Sequence, residues 1–375
     1  MFWNFTPGGT SSSKAQNPPF LQALALTPTP VSSTGVTLLV KDGLPPPTGV
    51  DPNRPPAGNT RSIFDVNFRD GYAQNYNLNV QRALGSNYLV EVAYAGSRSR
   101  HMVLKVDINQ APPVVGVSDA NVNRPYIALA PAVRNLSQSQ SVGTIDYNAL
   151  LVKFQRRFAN NFSFMNSYTL GKSVDLASDN EAGVSNAYNL AYNKGPSDYD
   201  VRHTFSSSWI YELPWAREAV YGGWQVNGIL YLRSGLPFTP SQNQNVRSTG
   251  TANRPDRLCN GALSNPTIER WFDLSCFAAP ADTTGTFGTS GRNILRGPGQ
   301  FNIDASLIKN TRIGRLDTEI RVEAFNVLNH PQFAQPNGNI NAGTAGQITA
   351  MLSSASCALC GTTERQVQLG VKLRF

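Results

Sequence analysis

The chain finishes in a run of alternating apolar and polar residues, 365–375 (RQVQLGVKLRF). Successive side chains of a β-strand point to opposite faces. One face of this strand would therefore carry Val367, Leu369, Val371, Leu373 and Phe375, and the other Gln366, Gln368, Gly370, Lys372 and Arg374. One face suits lipid and the other suits water, so the pattern favours the wall of a membrane β-barrel. A soluble sheet with one wet face would alternate in the same way.

The same period of two recurs along the chain and predicts further strands. They are residues 72–82, 88–96, 147–158, 162–172, 201–213, 224–232, 301–309 and 316–328. Short turns at 85–87, 159–161 and 313–315 alternate with long connections, at about 97–143, 173–200 and 234–300. Such long connections are uncommon in compact soluble domains, but barrels of the outer membrane carry long outer loops and short periplasmic turns. We therefore predict an all-β fold, a transmembrane antiparallel β-barrel of about nine to ten strands.

Composition is compatible with this fold, because 10% of the residues are aromatic and can form interfacial girdles. No segment approaches the roughly 18 consecutive apolar residues of a membrane helix. The first residues, MFWNFTPGG, lack the features of a secretory signal, so the protein is either not exported or a fragment. The odd count of confident strands favours a fragment, because single-chain bacterial barrels use even numbers. We expect residues 1–69 to form an outer loop or irregular segment and residues 70–375 the C-terminal part of a larger barrel.

The net charge of +8 is spread along the chain and often lies near predicted strand ends. A nucleic-acid partner would require a concentrated basic face, which the sequence lacks. The charges fit a membrane boundary or a lumen better, so we expect lipid of the outer membrane as a partner and no nucleic acid.

The chain has four cysteines that could form disulfides, and they are Cys259, Cys276, Cys357 and Cys360. Disulfides that staple outer loops are expected in an exported protein. A zinc site is an alternative, but most four-cysteine sites use two closely spaced pairs and the first pair here is widely spaced. Redox chemistry at the CxxC of the second pair is a further alternative, although no βαβ pattern surrounds it.

No motif predicts catalysis, a metal site or a cofactor, and we expect the protein not to be an enzyme. His203 follows Asp198 and Asp200, where metal binding or acid–base chemistry is conceivable, but charged residues are common where a loop enters a strand. The glycine-rich residues 285–291 do not fit GxGxxG and predict a flexible outer loop. Charged residues on predicted inward faces could form lumen salt bridges or line a solute path, and they are Glu91, Glu212, Asp304, Glu319, Arg321 and Glu323.

Several stretches also resemble a known family. They are YAQNYNLNVQRALGSNYLVEVAYAGSRSRHM, YNALLVKFQRRFANNFSFMNSYTLGKSVD, SDYDVRHTFSSSWIYELPW, GGWQVNGILYLRSGLPFT, NILRGPGQFNIDASLIKN and VEAFNVLNHPQF. Their order and spacing resemble the barrel of TonB-dependent transporter or receptor-like outer-membrane proteins of the Oar-like group, from about residue 70 to the end.

The resemblance implies residence in the outer membrane of a Gram-negative bacterium and uptake or recognition of a solute, with energy supplied through the TonB complex. It also implies a plug and an amino-terminal domain that are missing here, so contact with TonB would belong to a missing N-terminal part. The last strand resembles the carboxyl-terminal signal read by the barrel-assembly machinery, with Val367, Leu369, Val371, Leu373 and Phe375 as the matching positions. The solute and its binding residues are not readable from the sequence.

Two other functional hypotheses stay open at this stage. The first is a passive porin-like channel or a structural or adhesive surface barrel. The second is a secreted carbohydrate-binding β-protein, either a sandwich or a propeller, which predicts solubility without detergent and no role for Phe375.

Overall fold

A computed structural model describes residues 2–4, 59–129, 131, 133–179, 183–214, 221–281, 284–313, 316–352 and 364–375. The strands are β1 (Phe2–Asn4), β2 (Asn59–Phe64), β3 (Gly71–Leu84), β4 (Tyr88–Asp107), β5 (Val133–Ala159), β6 (Phe162–Asp175), β7 (Gly195–Pro196), β8 (His203–Glu212), β9 (Trp224–Arg233), β10 (Pro237–Phe238), β11 (Asn245–Val246), β12 (Thr251–Ala252), β13 (Asp256–Arg257), β14 (Phe277–Ala278), β15 (Leu295–Arg296), β16 (Gln300–Ile313), β17 (Leu316–Phe325) and β18 (Gln366–Arg374). Two short 3-10 helices, Leu190–Asn193 and Leu274–Cys276, complete the regular structure of these residues. Within the described residues, no helix is long and apolar enough to cross a membrane.

One large sheet contains all the long strands, in the order β1-β3-β4-β5-β6-β8-β9-β16-β17-β18. Along this path every neighbouring pair is antiparallel. Strand β2 pairs in parallel with β5, and β7 pairs with β6. The predicted all-β antiparallel architecture is therefore confirmed, and sequential hairpins account for most of it.

The strands predicted from the alternating pattern are all present, but one predicted loop is wrong. We expected a loop over about 97–143, whereas β4 continues to Asp107 and β5 begins at Val133. The extensions pair with each other through irregular registers at Arg100/Met102 and Met102/Leu104. His101 there has a positive φ of 58°. The extra residue at such an irregularity breaks the period of two, which explains why the pattern did not show these extensions.

The cross-strand register places apolar residues on one face of the sheet and polar residues on the other. Residues directly opposite each other share a face, as in the row Phe164, Trp209, Gly228, Ala305, Ala324 and Val367. We call the surface with this row the apolar face. The surface with its sequence neighbours, among them Ser163, Ser208, Asn227, Asp304 and Gln368, is the polar face.

Two aromatic rings on the apolar face lie over glycines of the adjacent strand. A Cβ added to Gly96 would lie 2.2 Å from Cε2 of Tyr76, and one added to Gly228 would lie 2.0 Å from Cζ2 of Trp209. The Tyr76 hydroxyl also donates to Oδ1 of Asn148, at 3.1 Å. Each ring therefore occupies space that only a glycine leaves free.

The two edges of the sheet lack partners over most of their length in the described residues. Strand β3 pairs with β1 only through Tyr72, Ala73 and Gly71, and β18 pairs only with β17. An open sheet edge exposes unpaired N–H and C=O groups, which are costly in the hydrocarbon of a membrane.

The connections at the end of the sheet away from the short turns fold into an ordered layer with its own core. Phe272 is 1% exposed and clusters with Cys276, Phe277 and Leu295. A second cluster joins Leu104, Val106 and Val184. We call this the outer-loop layer.

Residues 285–291 form a loop, as predicted, and two of its glycines are closely packed. A Cβ added to Gly285 would lie 2.3 Å from the carbonyl carbon of Val114, and one added to Gly288 would lie 2.0 Å from the carbonyl oxygen of Arg254. These glycines thus permit close packing of neighbouring backbones.

Candidate functional site

The polar face carries the charged residues that the sequence placed on inward-pointing positions. Asn79 and Gln81 both donate side-chain hydrogen bonds to the carboxylate of Glu91, at 2.6 and 3.0 Å. On β17, Arg321 lies between Glu319 and Glu323 and pairs with both. The polar face is therefore a hydrogen-bonded, charge-bearing wall that water can wet.

A cavity of about 600 Å³ opens on this face near the short turns. Charged and amide side chains of five strands line it, among them Glu212, Gln225, Arg312, Asp317, Glu319 and Lys372. The strand register puts Asp317 opposite Arg374 and Glu319 opposite Lys372. Cross-strand pairs of opposite charge stabilise a sheet modestly, by roughly 0.2–1 kcal/mol each.

Buried ion pairs tie the outer-loop layer to the ends of the strands. The carboxylate of Asp175, at the end of β6, is fully buried and pairs with Nη2 of Arg292. Burial lowers the pKa of the Arg292 guanidinium. Asp200 is 2% exposed, pairs with Arg296 and accepts a hydrogen bond from the backbone of Ser173. Such pairs position a loop firmly because loss of one partner leaves a buried charge.

The residues that the sequence singled out around His203 lie in this network. Asp198 contacts Arg292 at 3.4 Å and Asp200 pairs with Arg296, while Nδ1 of His203 lies 2.8 Å from the hydroxyl of Tyr168. Both aspartates are therefore engaged by arginines. Over the described residues, no group of three or more acidic, histidine or cysteine side chains could hold a metal ion.

A stacked arginine holds two outer loops together. The guanidinium carbon of Arg254 lies 3.6 Å from the ring centroid of Tyr192, and its Nε donates to the carbonyl of Ser290 at 2.7 Å. Burial raises the pKa of Tyr192 and lowers that of Arg254. No pattern in the sequence predicts this contact, because the two residues lie in separate loops without a shared period.

A disulfide joins Cys259 to Cys276 and closes part of the longest outer loop. Cys276 is 4% exposed and belongs to the core cluster of the outer-loop layer. The other two cysteines of the sequence, Cys357 and Cys360, lie outside the described residues, so their pairing stays a prediction.

The last strand presents its alternating residues as expected. Each of its apolar side chains is at least half exposed, namely Val367, Leu369, Val371, Leu373 and Phe375. They continue the apolar face because Val367, Leu369 and Val371 lie opposite Ala324, Val322 and Ile320 of β17. Their role as an assembly signal stays a prediction.

The comparisons with known proteins agree with this architecture. A family model described as "Outer membrane beta barrel domain" matches residues 1–368. The outer membrane transporter YddB from Escherichia coli is similar in structure, with a TM-score of 0.46, 10% identity and coverage of 84% of this chain and 34% of that one. The FrpB iron transporter from Neisseria meningitidis (F3-3 variant) is similar with a TM-score of 0.41 and 11% identity, and the match covers 83% of this chain and 32% of that one. The chain thus spans about a third of the length of both, and no curated protein matches it.

The family model covers nearly the whole chain, and the sheet has the alternating faces that a membrane barrel wall requires. The apolar face is accordingly the surface that contacts lipid, the short turns lie at the periplasmic end and the outer-loop layer lies at the outer end. The chain belongs to the outer membrane beta barrel domain family and resides in the outer membrane.

Proposed function

We propose that this chain is the C-terminal part of a TonB-dependent receptor-like transporter of the Oar-like group, which takes up or recognises a solute through its outer loops. The observation that carries the proposal is the outer-loop layer, in which connections far apart in the chain share buried ion pairs, a disulfide and a core. An ordered layer of this kind offers fixed side chains to a solute. The polar face below it offers a wettable path.

In this proposal the chain supplies wall and loops, and other parts of a longer protein supply a plug and the contact with TonB. The unpaired edges of β3 and β18 support it, because each exposes backbone groups that further strands could satisfy. The chain's own residues then have no enzymatic role. In this proposal the charged residues on the polar face serve passage or binding of a solute.

The proposal is tested on the product of the coding region extended upstream of the Met1 codon. We expect this region to encode, in frame, a plug and a TonB-contacting segment. We also expect TonB to co-purify with the extended protein and to be lost when that segment is deleted. A stable open conductance of the purified protein in planar bilayers, without TonB binding, would instead establish a passive channel.

We also propose that β18 is read by the barrel-assembly machinery, with Phe375 as its last recognised residue. Deletion of Phe375 should reduce the amount of protein folded in the outer membrane, measured by heat-dependent gel mobility of membrane fractions. Arg374→Gln, which changes the polar face of the same strand, is the matched control. Equal assembly of the deletion variant and the control would contradict this role.

A further inference from the structure

Arg156 lies on the apolar face of β5, near the periplasmic turn. The strand register puts it opposite Tyr88 on one side and Phe164 on the other. Its guanidinium carbon lies 5.7 Å from the ring centroid of Tyr88 and 5.5 Å from that of Phe162. Aromatic rings attract a cation at such distances. The structure therefore holds a positive charge among aromatic rings on the surface that contacts lipid.

Among the residues that the structure describes, this charge has no acidic partner. Nη2 of Arg156 donates to the carbonyl oxygen of Ala159 at 3.1 Å, and within the described residues its other guanidinium nitrogens have no protein acceptor. At the outer end of the same face the arrangement differs, because Arg98 and Arg100 share the carboxylate of Asp146, at 3.3 and 2.8 Å. The periplasmic end lacks such a neutralising group in the described strands.

Carboxylates are unevenly distributed between the two faces of the sheet at the periplasmic end. Arg82, opposite Val90, adds a second cation to the apolar face. Lys309 adds a third and lies 5.4 Å from the ring of Trp224. The carboxylates of the described strands in this half lie on the polar face, and they are Glu91, Glu212, Asp317, Glu319 and Glu323. Among the described strands, the charged side chains that the apolar face presents at this level are therefore basic.

We propose that the periplasmic end of the apolar face binds the phosphate of an anionic phospholipid in the periplasmic leaflet, with Arg156 as the central ligand and Arg82 as a second cation. Arginine binds phosphate oxygens through paired N–H donors. The rings of Tyr88 and Phe162 provide the amphipathic surroundings of the membrane interface. A lipid phosphate is favoured over a free one because the apolar face contacts the bilayer. This site requires the outer-membrane barrel and does not depend on the proposed transport function.

The test uses the full chain in nanodiscs that contain neutral phosphatidylcholine with a minor fraction of phosphatidylglycerol. Lipids retained after release are counted by native mass spectrometry. A basic residue near a membrane surface contributes about 1 kcal/mol of attraction to anionic lipid, a factor of about five. We expect Arg156→Gln to lower the retention of phosphatidylglycerol over phosphatidylcholine about fivefold, and Arg82→Gln to lower it by a smaller factor.

The matched control is Lys153→Gln, which removes one positive charge from the polar face of the same strand, opposite Glu91. Unchanged lipid preference in this variant supports the site. An equal loss in Lys153→Gln, or no preference in the unmodified protein, would overturn it. Displacement of phosphatidylglycerol by excess inorganic phosphate would also overturn it, by showing a site for free phosphate. If Arg156→Gln does not fold, the salt dependence of the unmodified protein replaces this comparison. Its preference for phosphatidylglycerol over phosphatidylcholine must fall with added salt, and a preference independent of salt would overturn the site.

Discussion

Reduction of the Cys259–Cys276 disulfide should open the outer-loop layer while the sheet stays folded. The bond closes a loop with a sequence separation of 17 residues and ends at Cys276, inside the core cluster with Phe272 and Phe277. The strands of the sheet carry their own hydrogen-bonded ladders and do not pass through this loop. The effect should therefore be local.

The expected magnitude follows from chain entropy. A cross-link that closes a loop of this length stabilises the folded state by about 3 kcal/mol. A tenfold change in an equilibrium corresponds to about 1.4 kcal/mol. The open population of the loop should therefore rise roughly a hundredfold on reduction.

Limited proteolysis with trypsin can measure this change. Arg270 lies inside the closed loop, its side chain is 62% exposed and it pairs with Asp273 at 2.8 Å. When loop opening and closing are fast relative to cleavage, the cleavage rate follows the open population. We expect cleavage after Arg270 to accelerate roughly a hundredfold with reductant, while cleavage after Arg312, near the end of β16, stays unchanged.

A variant with Cys259→Ala and Cys276→Ala distinguishes the effect of this disulfide from the effect of reductant on any other disulfide. Its cleavage after Arg270 should be fast with and without reductant, because the cross-link is already absent. If cleavage in the variant is as slow as in the oxidised protein, packing and not the disulfide holds the loop, and the entropic reasoning is refuted.

Three further predictions concern single residues. Asp175→Asn should destabilise the outer-loop layer by about 3–5 kcal/mol, because it removes the buried charge partner of Arg292 and leaves only the contact with the exposed Asp198, and differential scanning calorimetry would show a lower or split transition. Gly228→Ala should cost about 1–3 kcal/mol in urea unfolding, because the new Cβ would collide with the ring of Trp209, whereas Gly343→Ala, with nothing within 4 Å, should not. Hydrogen bonds from a neighbouring serine, followed by those from an arginine, lower the pKa of Asp273. The stabilisation by these hydrogen bonds is thus present above the usual aspartate range and lost as pH falls through the lowered pKa. The protection of nearby amides, taken relative to the intrinsic exchange rate at each pH, should fall on acidification in the unmodified protein but not in Asp273→Asn.

The part of the fold inside the membrane is the part that the sequence predicted well. Lipid on one side and water on the other force a period of two on every strand, as in Val367, Leu369 and Val371 against Gln366 and Gln368. Beyond the membrane this constraint ends. The extension of β4 past Ser97 reads SRSRHMVLKVD, with polar residues on both faces at first and an irregular register near His101. The sequence of this extension therefore predicts a loop and not a strand.

The outer-loop layer could not be predicted because its contacts join residues far apart in the chain. Asp175 and Arg292 are separated by 117 positions, and the Nε1 of Trp271 donates to the carbonyl of Arg296 across another irregular stretch. Neither contact has a periodic signal. Phe272 lies in a stretch without a clear period of two (ERWFDLSCF) and becomes a core residue only when the loops meet.

The rings over glycines on the apolar face bear on how the strands find their alignment. In a membrane strand, a slip by one residue would turn polar side chains to lipid and is strongly disfavoured. A slip by two preserves the faces, so amphipathic alternation cannot prevent it. The contacts of Tyr76 with Gly96 and of Trp209 with Gly228 can prevent a slip by two residues, because such a slip would bring each ring against a residue that carries a Cβ. The strand pairs β3–β4 and β8–β9 thus each have a single alignment in which the ring fits. The register of these strands is specified by side chains on the surface that the bilayer covers.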